Sequence, residues 1–171
     1  MDRLGFIHEK LDIKILILFV LRRLPSIVDA ETLRGLVMCD DGISYFDYTD
    51  CLSELVTTGN VEELEGGYLV TEKGSRSGET VENSLPYSVR KKAERLLSPV
   101  REKMRRDASI LTHHRSDADG TTVTLSMGDG RGDLIRLSFV CAGDEQAKRI
   151  ESNFRREAEE YYQKIVALLS E

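Results

Sequence analysis

Two clusters of charged side chains contain the residues of this chain whose types and spacing are best suited to binding. The first cluster is basic: residues 76–115 hold ten Lys and Arg against five Asp and Glu. Such side chains bind nucleic acids because they neutralise phosphates and release counterions. The densest part comprises Arg90, Lys91, Lys92 and Arg95. This segment predicts a phosphate track, a docking face for an acidic partner, or a solvated face balanced by Glu94 and Glu102.

The second cluster is acidic and covers residues 35–72, which hold nine carboxylates and no Lys or Arg. Such a surface repels phosphates. Residues 35–59 also lack Arg, Lys, Asn and Gln, the side chains that most often read bases. The side chains that can still contact a phosphate or accept a hydrogen bond from cytosine are Ser44, Tyr45, Asp47, Thr49 and Asp50. The cluster therefore indicates either DNA contacts through these residues or a basic protein partner.

The patterns typical of catalysis and metal binding are absent from the sequence. His113 and His114 are adjacent, with no Cys or third His nearby, and this is not the ligand spacing of a zinc site. We expect a polar loop there. The glycine-rich residues 128–133 lack the Lys-Ser/Thr ending of a phosphate loop and predict a hairpin turn. We therefore expect no metal, no cofactor and no enzymatic activity.

Composition restricts the class of protein. Of the 171 residues, 40% are hydrophobic and 32% charged, which suits a folded chain of one domain or two small lobes. The net charge of −6 gives no general attraction to nucleic acid or anionic membranes. The odd number of cysteines, three, favours a reduced, cytoplasmic compartment. The longest apolar run, residues 15–21, is far shorter than the ~20 residues of a membrane helix.

Hydrophobic periodicity predicts three helices in the first 60 residues. The first covers residues 12–24 and is apolar on most sides, with Asp12 as its N-cap. The second covers 30–38, with Asp29 as its N-cap. The third begins after Ser44, which forms a capping box with Asp47, and buries leucines at its inner face.

The later segments predict two hairpins and further helices. Short strands at 61–64 and 68–71 flank a glycine turn, and Gly74 ends this unit. Helical segments follow at 76–84 and from Val89 onward, where Pro99 predicts a kink or a restart. The period then changes to two, which predicts a hairpin of strands at 122–127 and 135–141. A helix at 144–169 ends the pattern.

This order of elements is similar to a winged helix-turn-helix domain. The residues that carry the likeness are LSEL at 52–55, GNV at 59–61 and YLVTEKG at 68–74. Over most of its length, the chain resembles the bacterial family called domain of unknown function 4364, which is regarded as a family of winged-helix transcription regulators. The resemblance implies a regulator that binds duplex DNA as a homodimer.

We therefore predict an α+β protein in three parts. Residues 1–75 form the winged helix-turn-helix domain, 76–115 a basic helical connector, and 116–171 a β-hairpin with a long C-terminal helix. The predicted function is transcription regulation, with a winged-helix protein-interaction module as the alternative. The candidate DNA contacts are Ser44, Tyr45, Asp47, Thr49, Asp50, Lys73, Arg76, Arg90, Lys91, Lys92 and Arg95.

Overall fold

The structure, a computed structural model, describes residues 6–171. Within that range the chain is an α+β protein with six α-helices and two small antiparallel sheets. It divides into two compact units, of which the first ends at Met104 and the second is Arg105–Glu171. The predicted α+β class is confirmed. The division into three parts stays a prediction.

The first unit is built around helix α1 (Lys10–Leu21). Ile13 and all residues from 15 to 21 are buried, as the nearly continuous apolar run requires. The predicted N-cap at Asp12 is wrong, because the helix starts earlier and Asp12 lies inside its first turn. Glu9 occupies the N-cap position without a side-chain hydrogen bond.

Helices α2 (Ala30–Val37) and α3 (Tyr45–Thr57) have the N-caps that the sequence predicted. Asp29 accepts a hydrogen bond from the amide of Thr32 at 2.9 Å. Each cap satisfies an amide that the helix itself leaves without a partner, and it therefore fixes where the helix begins. On the inner side of α3, Leu52 and Leu55 are buried in the core of this unit.

A two-stranded sheet follows α3. Strands β1 (Val61–Leu64) and β2 (Gly67–Val70) are antiparallel. Val28, in the segment between α1 and α2, forms a β-bridge with Tyr68, with its amide 3.1 Å from the Tyr68 oxygen and its oxygen 2.9 Å from the Tyr68 amide. The bridge fastens the hairpin to the loop that precedes α2.

Helix α4 (Glu72–Val81) begins earlier than predicted and includes Gly74. Thr71 is its N-cap and accepts a hydrogen bond from the Gly74 amide at 3.0 Å. The prediction that Gly74 ends the hairpin unit is therefore wrong. Gly74 is buried in the first turn of α4, where a Cβ would overlap the carbonyl oxygen of Asn60.

Gly74→Ala is expected to destabilise the protein by about 1–3 kcal/mol, because the overlap is with backbone that has to move. Gly35→Ala in α2 is the matched control, since a Cβ there meets open space among the described residues. In a helix interior that exchange is expected to stabilise by about 0.5–1 kcal/mol. Urea unfolding of both variants measures whether the changes in free energy of unfolding have opposite signs. Changes of the same sign would contradict the placement of Gly74.

After a 3-10 turn at Glu82–Ser84, helix α5 runs from Tyr87 to Ser109 and contains Pro99. Of the kink or restart predicted at Pro99, the restart is wrong, because the helix continues through the proline. An interior proline removes one backbone hydrogen bond. Burial of Leu97 before it and packing of Val100 and Met104 after it hold both halves against the same core.

The second unit contains a three-stranded antiparallel sheet in the order β3-β4-β5, and this extends the predicted hairpin. Strand β3 (Ile110–Asp117) precedes the hairpin strands β4 (Gly120–Gly128) and β5 (Asp133–Cys141). The predicted polar loop at His113 and His114 is wrong, because both residues lie in β3.

Helix α6 (Asp144–Ser170) packs on one face of this sheet. Its geometry departs from helical at Glu157, where φ is −132° and ψ is 28°. Phe154 and Ala158 on the helix are buried against Ile110 of β3 and the inward residues of β4. The inward residues of β4 are Val123, Leu125 and Met127.

Candidate nucleic-acid interface

The amino-terminal half of α3 presents the acidic candidate site. Ser44 accepts a hydrogen bond from the Asp47 amide at 3.1 Å and donates its hydroxyl to the Asp47 carboxylate at 2.7 Å. With the helix start fixed in this way, Tyr45 is 52% exposed and Phe46 is 79% exposed. The Thr49 hydroxyl donates to the backbone oxygens of residues 45 and 46, so it can serve a ligand only as an acceptor.

Two lysines of α1 lie against the carboxylates of α3. Lys10 pairs with Asp50 at 3.0 Å, and Lys14 pairs with Glu54. The hydrogen bond and the charge of Asp50 raise the pKa of the Lys10 ammonium. The face of α3 is consequently less negative than residues 35–72 alone suggest. The two lysines precede that segment by more than 20 residues, so counting charges along the chain does not reveal the pairs.

Lys73 and Arg76, expected at the edge of the basic segment, have local partners on α3 and α4. The Lys73 ammonium donates to the backbone oxygen of Thr58 at 2.5 Å, next to the C-terminus of α3. Arg76 pairs with Glu72 one turn earlier in α4. Neither residue lines the groove that the basic residues of α5 form.

The basic residues of α5 line a groove of about 700 Å³ against the end of α1. Its cations are Arg23, which lies just after α1, and Arg90, Lys91 and Arg95 from α5. Glu94 is the carboxylate among the lining residues. The remaining walls come from Phe19, Tyr87 and Ser98. Four cations around one carboxylate give the groove a positive charge that suits a phosphate or a carboxylate ligand.

Within this groove, two arginines are oriented by neighbouring side chains. Arg23 stacks on the Phe19 ring, with its guanidinium carbon 3.5 Å from the ring centroid. Arg90 donates from Nη1 to the Asn83 side-chain oxygen at 3.1 Å. The Nε atom of Arg90 is buried without a hydrogen-bond partner among the described residues. Lys92 lies outside the lining, one residue from Lys91 along the helix.

A carboxylate directly after α4 holds in place the two arginines that follow α1. Glu82 accepts hydrogen bonds from Arg22 at 2.6 Å and from Arg23 at 3.2 Å. Burial alone would raise the pKa of Glu82, but the two guanidinium groups more than offset this and lower it. Arg23 also lies 3.4 Å from Glu94. Glu82 is therefore the link between α4 and the groove.

Glu82→Gln is expected to destabilise the protein by about 1–3 kcal/mol at pH 7, because it removes a charged acceptor from two arginines. The pKa of Glu82 is lowered by folding, so its stabilisation is complete above the unfolded-state pKa and lost as pH falls through the folded-state pKa. The difference in free energy of unfolding between Glu82→Gln and wild type should therefore disappear at acidic pH. Glu79→Gln, at an exposed site on α4, is the control for urea unfolding across pH. A loss that is the same at every pH would contradict this role of Glu82.

The predicted candidate residues thus fall in three places. Ser44, Tyr45, Asp47, Thr49 and Asp50 lie on α3 or at its N-cap, Lys73 and Arg76 lie on α4, and the four basic residues Arg90, Lys91, Lys92 and Arg95 lie on α5. The structure brings Arg90, Lys91 and Arg95 together. Sequence reasoning missed Arg23, Phe19 and Tyr87 in the same groove. The one signal for Arg23 is its charge directly after the apolar run of α1.

The described residues include neither a metal-binding cluster nor a helix that could span a membrane. Residues 6–171 contain no group of three or more His, Cys, Asp or Glu side chains that could hold a metal ion. His114 lies 3.2 Å from Glu151 of α6, which makes it a sheet-to-helix contact. In the same range, no helix has the length and apolar character needed to cross a membrane.

The fold and the groove define an α+β protein whose helical first unit carries a basic cleft. The chain belongs to the family described as Domain of unknown function (DUF4364), which matches residues 13–169. This match confirms the family that the chain resembles over most of its length. No curated protein and no solved structure matches the chain.

Proposed function

We propose that this chain is a winged-helix transcription regulator of the bacterial cytoplasm that binds duplex DNA. The observation that carries the proposal is the bridge between Val28 and Tyr68. It adds a third extended segment to the hairpin, and the resulting order of helix, strand, helix, helix and hairpin is the order expected of a winged helix, which supports the proposal. In that arrangement α3 is the recognition helix, and its residues 45, 46 and 50 are exposed.

The groove between α1 and α5 supplies the phosphate contacts. Binding to DNA gains most of its affinity from cations that neutralise phosphates, and α3 has none of its own. The groove offers Arg23, Arg90, Lys91 and Arg95 in one place. The Lys10–Asp50 and Lys14–Glu54 pairs reduce the repulsion that the carboxylates of α3 exert on a nearby duplex.

Fluorescence anisotropy with the full chain tests the proposal. A labelled random-sequence duplex is titrated at several salt concentrations, and bound sequences are then selected and sequenced. We expect saturable binding, and we expect the logarithm of the affinity to fall linearly with the logarithm of the salt concentration. No binding to duplex DNA at low salt would refute the function.

We further propose that the regulator is a homodimer formed through its second unit. Exposed apolar side chains lie on β5 and at the end of α6: Phe139, Val140, Leu168 and Leu169. Between α6 and β5 there is a cavity of about 220 Å³ with mainly apolar walls, including Leu137 and Ile165. A second copy that covers these surfaces would remove them from water.

Light scattering at micromolar concentration is expected to give about twice 19.3 kDa. Leu168→Glu and Leu169→Glu in one chain should shift the mass toward the monomer, because they place charge on the apolar end of α6. Val81→Glu, at an exposed apolar site on α4, is the control. A monomeric wild type at every concentration would contradict the dimer.

A second candidate function is a protein-interaction module. Tyr45 and Phe46 form an edge-to-face pair with ring centroids 6.2 Å apart, and they stand exposed beside the carboxylates of α3. Exposed aromatic residues often anchor protein interfaces, and the surrounding charge suits a basic partner. Two results together would favour this function. The wild-type chain would co-purify with a basic protein but not bind duplex DNA, and the Phe46→Ser variant would lose that protein.

A further inference from the structure

A second cavity in the first unit lies between α2, α3 and β2. It encloses about 480 Å³ and is lined by residues that include Glu31, Arg34, Tyr45, Tyr48, Leu52 and Tyr68. It shares no lining residue with the basic groove. Its volume falls within the range of about 300–1,000 Å³ that is typical of small-molecule sites.

Tyr48 is the most buried polar residue that lines this cavity. Its side chain is 3% exposed, and its hydroxyl has no hydrogen-bond partner among residues 6–171. Buried hydroxyl groups are normally paired, so an unpaired one in a cavity wall has a hydrogen bond to gain from a ligand. Burial raises the pKa of the Tyr48 hydroxyl, which keeps it protonated as a donor at neutral pH.

Arg34 supplies the positive charge of the cavity. Its guanidinium lies 3.9 Å from the carboxylate of Glu31, one turn earlier in α2, so its charge is partly balanced. A single, partly balanced cation suits a ligand with one negative charge better than a doubly charged phosphate. The Thr49 hydroxyl donates within its own helix, so it does not donate to an anion in the cavity.

The other walls are flat and apolar. The rings of Tyr45 and Tyr68 and the side chain of Leu52 line the cavity. The Tyr68 hydroxyl points to Glu63 at 3.4 Å. Aromatic rings in offset or edge-to-face contact favour an aromatic guest.

We propose that this cavity binds a small aromatic carboxylate. The carboxylate accepts hydrogen bonds from Arg34 and Tyr48, and the ring of the ligand packs against Tyr45 and Tyr68. This inference goes beyond DNA binding and does not depend on it, because the ligand is recognised by the free protein.

The first test is a titration of the full chain, without DNA, followed by heteronuclear NMR. Benzoate is the probe, benzamide is its uncharged analogue, and cyclohexanecarboxylate keeps the charge without the aromatic ring. We expect saturable shifts around α2, α3 and β2 with benzoate and binding about tenfold weaker with each analogue. No saturation below about 10 mM benzoate, or equal binding of benzamide, would overturn the proposal.

The second test uses two variants and a control. Tyr48→Phe keeps the ring but removes the hydroxyl, and Arg34→Gln removes the charge; each should weaken benzoate binding about tenfold. Since the hydroxyl has no partner among the described residues, the melting temperature of Tyr48→Phe should not fall. Tyr87→Phe, in the basic groove, should bind benzoate like wild type. Undiminished binding by Tyr48→Phe and Arg34→Gln would place the ligand elsewhere and overturn the assignment.

Discussion

Leu97→Ala is expected to lower the free energy of unfolding by about 2–5 kcal/mol, the cost of a large-to-small change in a packed core. The Leu97 side chain is 0% exposed and belongs to the core around α1. Because it sits between Arg95 and Pro99 on α5, it also anchors the part of the helix that forms the groove. Removing this side chain leaves a cavity that the two helix halves cannot fully close.

Leu96→Ala is a closely matched control for that prediction. It makes the same exchange one residue away in the same helix, so the change in helix propensity is shared. Leu96 is 40% exposed, and we expect a loss below about 1 kcal/mol. Urea unfolding followed by circular dichroism measures both. Equal midpoints for the two variants would mean that the face of α5 toward α1 is assigned wrongly.

Features fixed by neighbouring residues were predictable from the sequence. Asp29 and Ser44 cap α2 and α3 as expected, since a cap needs only a side-chain oxygen and an amide two or three residues later. Gly59, shortly after the end of α3, has a φ of 71°, in the region that glycine favours at helix ends. In each case the signal lies within a few residues along the chain.

Strand β3 was missed because its sequence carries little hydrophobic alternation. Of its eight residues only Ile110 is buried, and the side chains that follow include Thr112, His113 and His114. It is an edge strand defined by its pairing with β4. Such pairing is a long-range property, which the composition of the strand does not reveal.

The electrostatics of the candidate site were only half predictable. The segment count located the cations of α5 but not Arg23, which lines the same groove from just after α1. It also located the carboxylates of α3 but not Lys10 and Lys14, which lie against them. The charge of a surface depends on which segments pack together, and this cannot be read from a count along the chain. The residues that the count missed, Lys10, Lys14 and Arg23, lie on α1 or just after it.

Replacing Arg90, Lys91 and Arg95 together by alanine is expected to weaken binding to duplex DNA uniformly across sequences. The three side chains line one groove, and each can neutralise one phosphate. The slope of log affinity against log salt should fall by about 0.9 for each phosphate that is no longer neutralised, or about 2.7 for three. Anisotropy titrations at several salt concentrations measure the slope directly.

Lys92→Ala tests whether the salt slope depends on charges within the groove or only on the net charge of the protein. Lys92 is on the same helix turn as the groove residues but outside the groove lining. It should leave the slope nearly unchanged, whereas Lys91→Ala should reduce it. Asp50→Asn should strengthen binding, because it removes a carboxylate and leaves the Lys10 charge unbalanced on the α3 side. If Asp50 proved essential for binding while the three groove residues were dispensable, α3 would be reading bases through its acidic face. The groove would then have no part in binding DNA.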